Sequence, residues 1–307
     1  MLKAKKNQAI FFKLGRWMLF GLLLFVLFYQ LNRFDWSNAE KVQIQSVHYF
    51  LLAILLVGLN WYLEWKKWTV GMRSIADFSG TILFKGFYAG MLAGFLTPSA
   101  LGNFLGRITA FHPEWRGKVT ATTLIGNGSQ FWVSLFFGVM SLFLISDYPF
   151  DFRSKWIRLL LILVVLIIGW LYFAIGKSRF FKKLIARRFS SLAEVSSDIR
   201  LRFLLLSMLR YLTFSIQFFF ILKSFQPDIN LSVLFWVWQL YLWTTLSPSL
   251  FLGKLFIRET LAVFILTYGG VELPAALLSA ILIWLINNAI PSFFAYLKWK
   301  RYDLVEA

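Results

Sequence analysis

The chain has no cysteine, which excludes disulfides, thiolate nucleophiles and Cys-ligated metals. Its two histidines, His48 and His112, lie far apart in sequence and read as interfacial or loop residues. Charge is scarce: 15% of residues are Asp, Glu, Lys or Arg, against about 25% in a soluble domain. Acidic residues are scarcer still, 14 against 32 Lys and Arg, which leaves a formal charge of +18. On a soluble protein that excess would suggest nucleic acid. Here the basic residues gather at one set of helix ends, so they read as topology signals and contacts with anionic lipid, not nucleic acid. No nucleotide loop, metal-ligand spacing or nucleophile triad is present, so no cofactor, no metal and no enzymatic activity are expected. The longest polar stretch, Lys177 to Arg202, is too short to bury a core, and no soluble catalytic domain is expected.

Apolar length is what the chain has most of. Hydrophobic residues make up 59% of its 307 positions, and several uncharged runs reach the about 20 residues that cross a bilayer as helix. The runs are continuous, not alternating, which argues against a β-barrel. The expected fold class is all-α, a polytopic integral membrane protein with about six spanning helices. They are placed at about Leu14–Leu31, Ser46–Leu63, Val119–Ile145, Trp156–Ile175, Phe203–Phe225 and Pro274–Leu297. The first lacks a small-residue cleavage site and reads as a retained helix. Asn60 and Glu64 close the second and are placed facing the headgroups. Trp61, Trp65 and Trp68 read as interface anchors. The amides Asn127, Gln130, Gln217, Gln239, Asn287 and Asn288 read as contacts between helices.

Two further apolar runs are interrupted in nearly the same way. The first break is Thr97-Pro98-Ser99, followed by Gly102, Asn103 and Arg107; the second is Ser247-Pro248-Ser249, followed by Gly253, Lys254, Arg258 and Glu259. In both, a hydroxyl residue precedes Pro-Ser and a Gly stands five residues before an Arg. Proline removes a backbone donor and clashes with the preceding turn. The arms Ile82–Leu96 and Ser99–Phe111 are short of the ~30 Å hydrocarbon core at about 1.5 Å per residue. They predict a re-entrant helical hairpin, and Leu231–Leu246 with Leu250–Leu266 predict a second; if the hairpins span instead, the chain has eight hydrophobic segments.

Lys and Arg mark the N-terminus, the first hairpin's ends, Lys177–Arg202 and the C-terminus as cytoplasmic by the positive-inside rule. This places the chain in the inner (cytoplasmic) membrane with both termini inside. Residues 1–146 and 147–307 then form two half-repeats of opposite topology. Lys177–Arg202, with eight Lys and Arg and apolar residues at helical spacing, reads as a basic amphipathic linker on the inner leaflet. Inverted repeats with broken helices in matching positions point to a transport site near the midplane.

At the two breaks the sequence resembles the lysylphosphatidylglycerol synthase transmembrane region, a flippase-like family. Thr97-Pro98-Ser99-Ala100-Leu101-Gly102 is similar to that family's Thr-Pro-Gly-Gly-x-Gly stretch. Ser247-Pro248-Ser249-Leu250-Phe251-Leu252-Gly253 with Arg258-Glu259 is similar to its second motif. Ser replaces Gly after each Pro, and the second motif lacks its double Gly. The resemblance implies lipid translocation without the synthase's aminoacyl transfer.

Thr97, Pro98, Ser99, Gly102, Asn103, Arg107, Ser247, Pro248, Ser249, Gly253, Lys254, Arg258 and Glu259 are therefore the candidate substrate-binding residues. Half-helix N–H groups after each Pro-Ser favour a phosphate, and an Arg one turn on can grip it at two points. Arg107 and Arg258 are expected to face a shared cavity. The resemblance implies a phospholipid or a related lipid-linked anion as the substrate. A small-solute secondary transporter, and a non-transporting partner of a lipid-modifying or envelope-biosynthesis enzyme, stay open as alternatives, as does homo-oligomerisation.

Overall fold

The protein is described by a computed structural model covering residues 43–97, 101–145, 155–177, 191–192, 194–247, 254 and 256–306, with isolated positions 21, 25, 28, 29 and 32. Pro98, Ser99, Pro248, Ser249 and Gly253 lie outside the described residues, as do most of the expected first helix and of the basic linker. The helices are α1 (Val47–Arg73), α2 (Gly80–Leu96), α3 (Leu101–Thr109), α4 (Pro113–Leu144), α5 (Lys155–Lys177), α6 (Ser197–Phe225), α7 (Val233–Leu246), α8 (Ile257–Tyr268), α9 (Leu273–Trp284) and α10 (Ile290–Glu306). Among the described residues there is no strand. Five helical stretches among the described residues are long and apolar enough to cross a membrane: Val47–Arg73, Pro113–Leu144, Trp156–Ile175, Ser197–Phe225 and Leu273–Lys298.

Their ends follow local chemistry. Ser79 caps α2 by accepting the Ile82 N–H, and Ser196 caps α6 by accepting that of Ile199, each satisfying a donor with no partner inside the helix. Pro113 and Pro274 open α4 and α9, where a missing N–H costs nothing. A π turn, Leu285–Ala289, joins α9 to α10. Pro291 just beyond it has no N–H to donate back, and the ladder slips there to a wider turn.

Both breaks are built alike on their N-terminal sides. Thr97 ends α2 in extended backbone, and Ser247 ends α7 in the same way, as a residue before proline should. Each folds its hydroxyl back onto the carbonyl four residues earlier, Thr97 onto Ala93 at 2.6 Å and Ser247 onto Trp243 at 2.7 Å. Thr97 Oγ1 also accepts the Gly102 N–H at 2.9 Å, tying the two arms of the first break together.

Those arms pack almost backbone to backbone. A Cβ on Gly102 would fall 2.1 Å from the Ala93 oxygen, and one on Gly106 2.3 Å from the Ala89 oxygen. Gly90 and Gly94 admit Arg107 and Asn103 as closely from the other arm. Small residues at such spacing are what bring helices together where lipid supplies no hydrophobic drive.

α1 lies along α6, the most extensive pairing in the fold, and α4 packs on both α6 and α7. The largest apolar core, with Phe137, Phe218, Leu222, Val237, Leu240 and Leu266, sits among α4, α6, α7 and α8. Outward faces are apolar, as along α5, where Leu159, Leu163, Leu166 and Trp170 are exposed.

Arg200 departs from its expected place on a basic surface. It is fully buried in the first turn of α6. Its guanidinium donates to the carbonyls of Tyr172 (2.6 Å), Leu192 (2.6 Å) and Val195 (3.1 Å), binding the end of α5 and the segment before α6 to one point. Replacing Arg200 by Met should cost on the order of 3 kcal/mol, since charge-assisted bonds are lost without relief elsewhere. Thermal unfolding of the purified variant checks this; a melting temperature equal to wild type would contradict it.

Candidate functional site

The first surprise in the interior is Glu64. α1 does not end near Leu63 but continues nine residues beyond Glu64 to Arg73. Asn60 and Glu64 are therefore buried between helices, only 3% and 8% exposed, not turned to the headgroups. Glu64 Oε1 accepts from Arg107 of α3 at 2.8 Å. Its Oε2 pairs with Lys67 one turn on at 3.1 Å and with Arg210 of α6 at 3.0 Å. Three cations from three helices thus converge on one carboxylate.

Each charge is held from behind. The Arg107 guanidinium carbon lies 4.8 Å from the centre of the Trp68 ring and 5.8 Å from that of Phe87, faces that attract a desolvated cation. Trp68 is itself core, 3% exposed, with its Nε1 donating to the Leu83 carbonyl at 3.0 Å. It is not the interface anchor its position suggests. Lys67 Nζ and Arg210 both donate to Gln130 Oε1 of α4 at 3.3 Å. Arg210 Nε donates to Asn60 Oδ1 at 3.1 Å. From there an amide relay runs on: Asn60 donates to Asn287 at 2.7 Å, Asn287 to Gln217 at 3.0 Å, and Gln217 to the Ala53 carbonyl at 3.0 Å. Asn287 stands in the π turn, so the slipped ladder brings a side-chain amide into the network. Hydrogen-bonded amides between helices are as expected; their link to the charges is new.

The cluster opens on a cavity of about 440 Å³. Glu64, Arg107, Arg210, Asn103, Asn127 and Gln130 form one side of its lining, and Trp61, Phe87, Phe95 and Phe131 supply apolar wall. Thr245, at the end of α7, and Asn288 and Ser292, from the π turn and α10, also reach it, so residues flanking the second break meet those of the first.

The expected site residues separate into two groups. Asn103 and Arg107 line the cavity, while Thr97 and Gly102 lock the bend behind them. Arg258 and Glu259 lie outside the cavity lining, buried in α8 and paired with each other. The cavity's second arginine is Arg210 of α6. Lys254 caps the end of α7: its ammonium donates to the carbonyls of Thr244, Thr245 (3.2 Å) and Ser247 (2.9 Å), where a cation suits the helix dipole. Lys254 and Phe256 both have positive φ, 68° and 69°. That backbone is uncommon for residues with a side chain, and the cap helps hold it.

Glu64 and Lys67 were hidden by their neighbour Lys66, which makes the helix look as if it ends there, whereas it runs on to Arg73. The usable signal was helical spacing: Trp61, Glu64, Trp68 and Met72 share one face, and that face is buried or lines the cavity.

Long apolar helices around a buried, charged cavity define a polytopic α-helical membrane protein. Residues 15–295 match the model of the family described as the lysylphosphatidylglycerol synthase TM region, and the chain belongs to that family. No curated protein and no solved structure gives a match.

Proposed function

We propose that the protein is a translocase that moves an anionic lipid between the leaflets of the inner membrane. The observation that carries this is the convergence of Arg107, Arg210 and Lys67 on Glu64 beside a cavity large enough for a headgroup. Ionisable groups at membrane depth are costly, by about 2.5–3.5 kcal/mol each on insertion scales, and mark substrate paths. The membership in a family named for lipid chemistry agrees with a lipid cargo.

The broken helices supply the moving parts of this reading. α2 has 17 residues and α3 has 9, rises of roughly 25 and 14 Å against a ~30 Å core. Their close pairing supports a hairpin that enters and leaves on the cytoplasmic side. The shared geometry of Thr97 and Ser247 supports a second break related to the first by inversion. Cavity access would then alternate between faces as one half rocks against the other.

The test is reconstitution into vesicles with a fluorescent phospholipid and a leaflet-selective quencher. Wild type should move lipid. Arg107→Lys keeps the charge but loses the planar fork, and its rate should fall by about tenfold or more, the scale of one lost charge-assisted bond. Movement of soluble solutes alone would sink the lipid reading in favour of a small-solute transporter.

A further inference from the structure

The charges of the cluster do not balance. Lys67, Arg107 and Arg210 bring three positive charges to the single negative charge of Glu64. Glu64 is also the one carboxylate among the described residues that line the cavity. The Lys67 and Arg107 side chains are 5% and 6% exposed, and that of Arg210 is 27% exposed, so water screens the excess poorly. The Gln130 and Asn60 amides orient Lys67 and Arg210 but carry no charge to offset them.

An excess of two positive charges is matched by a ligand with two negative ones. Headgroups differ in this respect. A phosphodiester carries one negative charge, whereas a phosphate monoester carries close to two near neutral pH, its second pKa being about 6. With a dianion in place, the four side chains and the ligand sum to zero. We propose that the cavity takes a phosphate monoester, a lipid ending in a dianionic phosphate, in preference to phosphodiester lipids. This rests on the reading that a headgroup enters the cavity at all. Arg107 and Arg210 each place one guanidinium nitrogen on Glu64, and the planar fork of five donors leaves others for phosphate oxygens. Asn103 and Asn127 line the same space and can donate to the remaining oxygens. Trp61, Phe87 and Phe95 present apolar surface to the stem that follows the phosphate. The cavity volume, about 440 Å³, accommodates both parts.

The size-matched comparison is phosphatidic acid, a monoester, against phosphatidylmethanol, its singly charged methyl ester. The full chain is placed in phosphatidylcholine nanodiscs doped with one or the other, and retained lipid is counted by native mass spectrometry near pH 7.5. Wild type should retain phosphatidic acid about tenfold or more over phosphatidylmethanol, and Arg210→Gln should shrink the preference to about threefold or less, as expected when one charge of the excess is removed. Arg107→Gln should do the same, and if it fails to fold, the more exposed Arg210 carries the test. Inorganic phosphate added in solution should not displace phosphatidic acid; full displacement at equal concentration would show that the site reads free phosphate and overturn the lipid claim. Equal retention of both lipids by wild type would overturn the inference, yet leave the translocase reading standing if either lipid crosses in vesicles. Selective retention without any crossing would do the reverse.

Discussion

Glu64→Leu should be the most damaging single change in the charged cluster, costing about 3–5 kcal/mol, the range for breaking a buried ion pair and leaving its partners uncompensated. It strips the shared carboxylate from Lys67, Arg107 and Arg210, all within 3.1 Å of it. Removing any one cation is milder, because Glu64 keeps the other two. Arg107→Leu is thus not free of cost, although an isolated arginine replaced by leucine in a bilayer would be. Combining Glu64→Leu with Lys67→Met should cost less than the two changes added, with a coupling of about 0.5–3 kcal/mol. Thermal unfolding of wild type, the two single variants and the double variant in one detergent measures it; additive losses would mean that the carboxylate and ammonium do not hold each other.

The second large effect belongs to the hairpin. Gly102→Ala puts a methyl 2.0 Å from Thr97 Oγ1 and 2.1 Å from the Ala93 carbonyl oxygen. Backbone cannot swing aside as a side-chain tip can, so α3 must leave α2, and Arg107 with it. A loss of about 3 kcal/mol or more is expected, the upper range for overpacking. Gly58→Ala in α1 is the control, since a Cβ there meets nothing within 4 Å. It should be neutral or stabilise by up to about 1 kcal/mol. Gly102→Ala with wild-type stability would show that the two arms do not pack as described.

The contrast between Thr97 and Glu64 shows what kind of information a sequence exposes. The break at Thr97 is local chemistry: a proline, the extended residue before it and a hydroxyl within reach of its own helix. Spans are local as well, because hydropathy is additive along the chain, and the observed α4, α5 and α6 fall close to the expected segments. The inward direction of Glu64 is not local. It depends on α1 running on to Arg73 and lying against α6, which puts Arg210 within reach across 146 positions of sequence. Arg258 and Glu259 illustrate the converse. Their motif marks them, but a neighbouring opposite charge lets the pair be buried away from the cavity. Asn287 joins the network through a π turn set by Pro291, an offset that a regular helical wheel misplaces.

In the proposed function the Glu64 cluster holds an anionic headgroup inside the membrane. A cryo-electron-microscopy structure in nanodiscs containing anionic phospholipid decides whether it does. Phosphate density is expected in the cavity within hydrogen-bond reach of both Arg107 and Arg210, with the lipid stem along Trp61 and Phe87. A cavity without lipid density, in a protein whose headgroup contacts all lie on its outer surface, would contradict it.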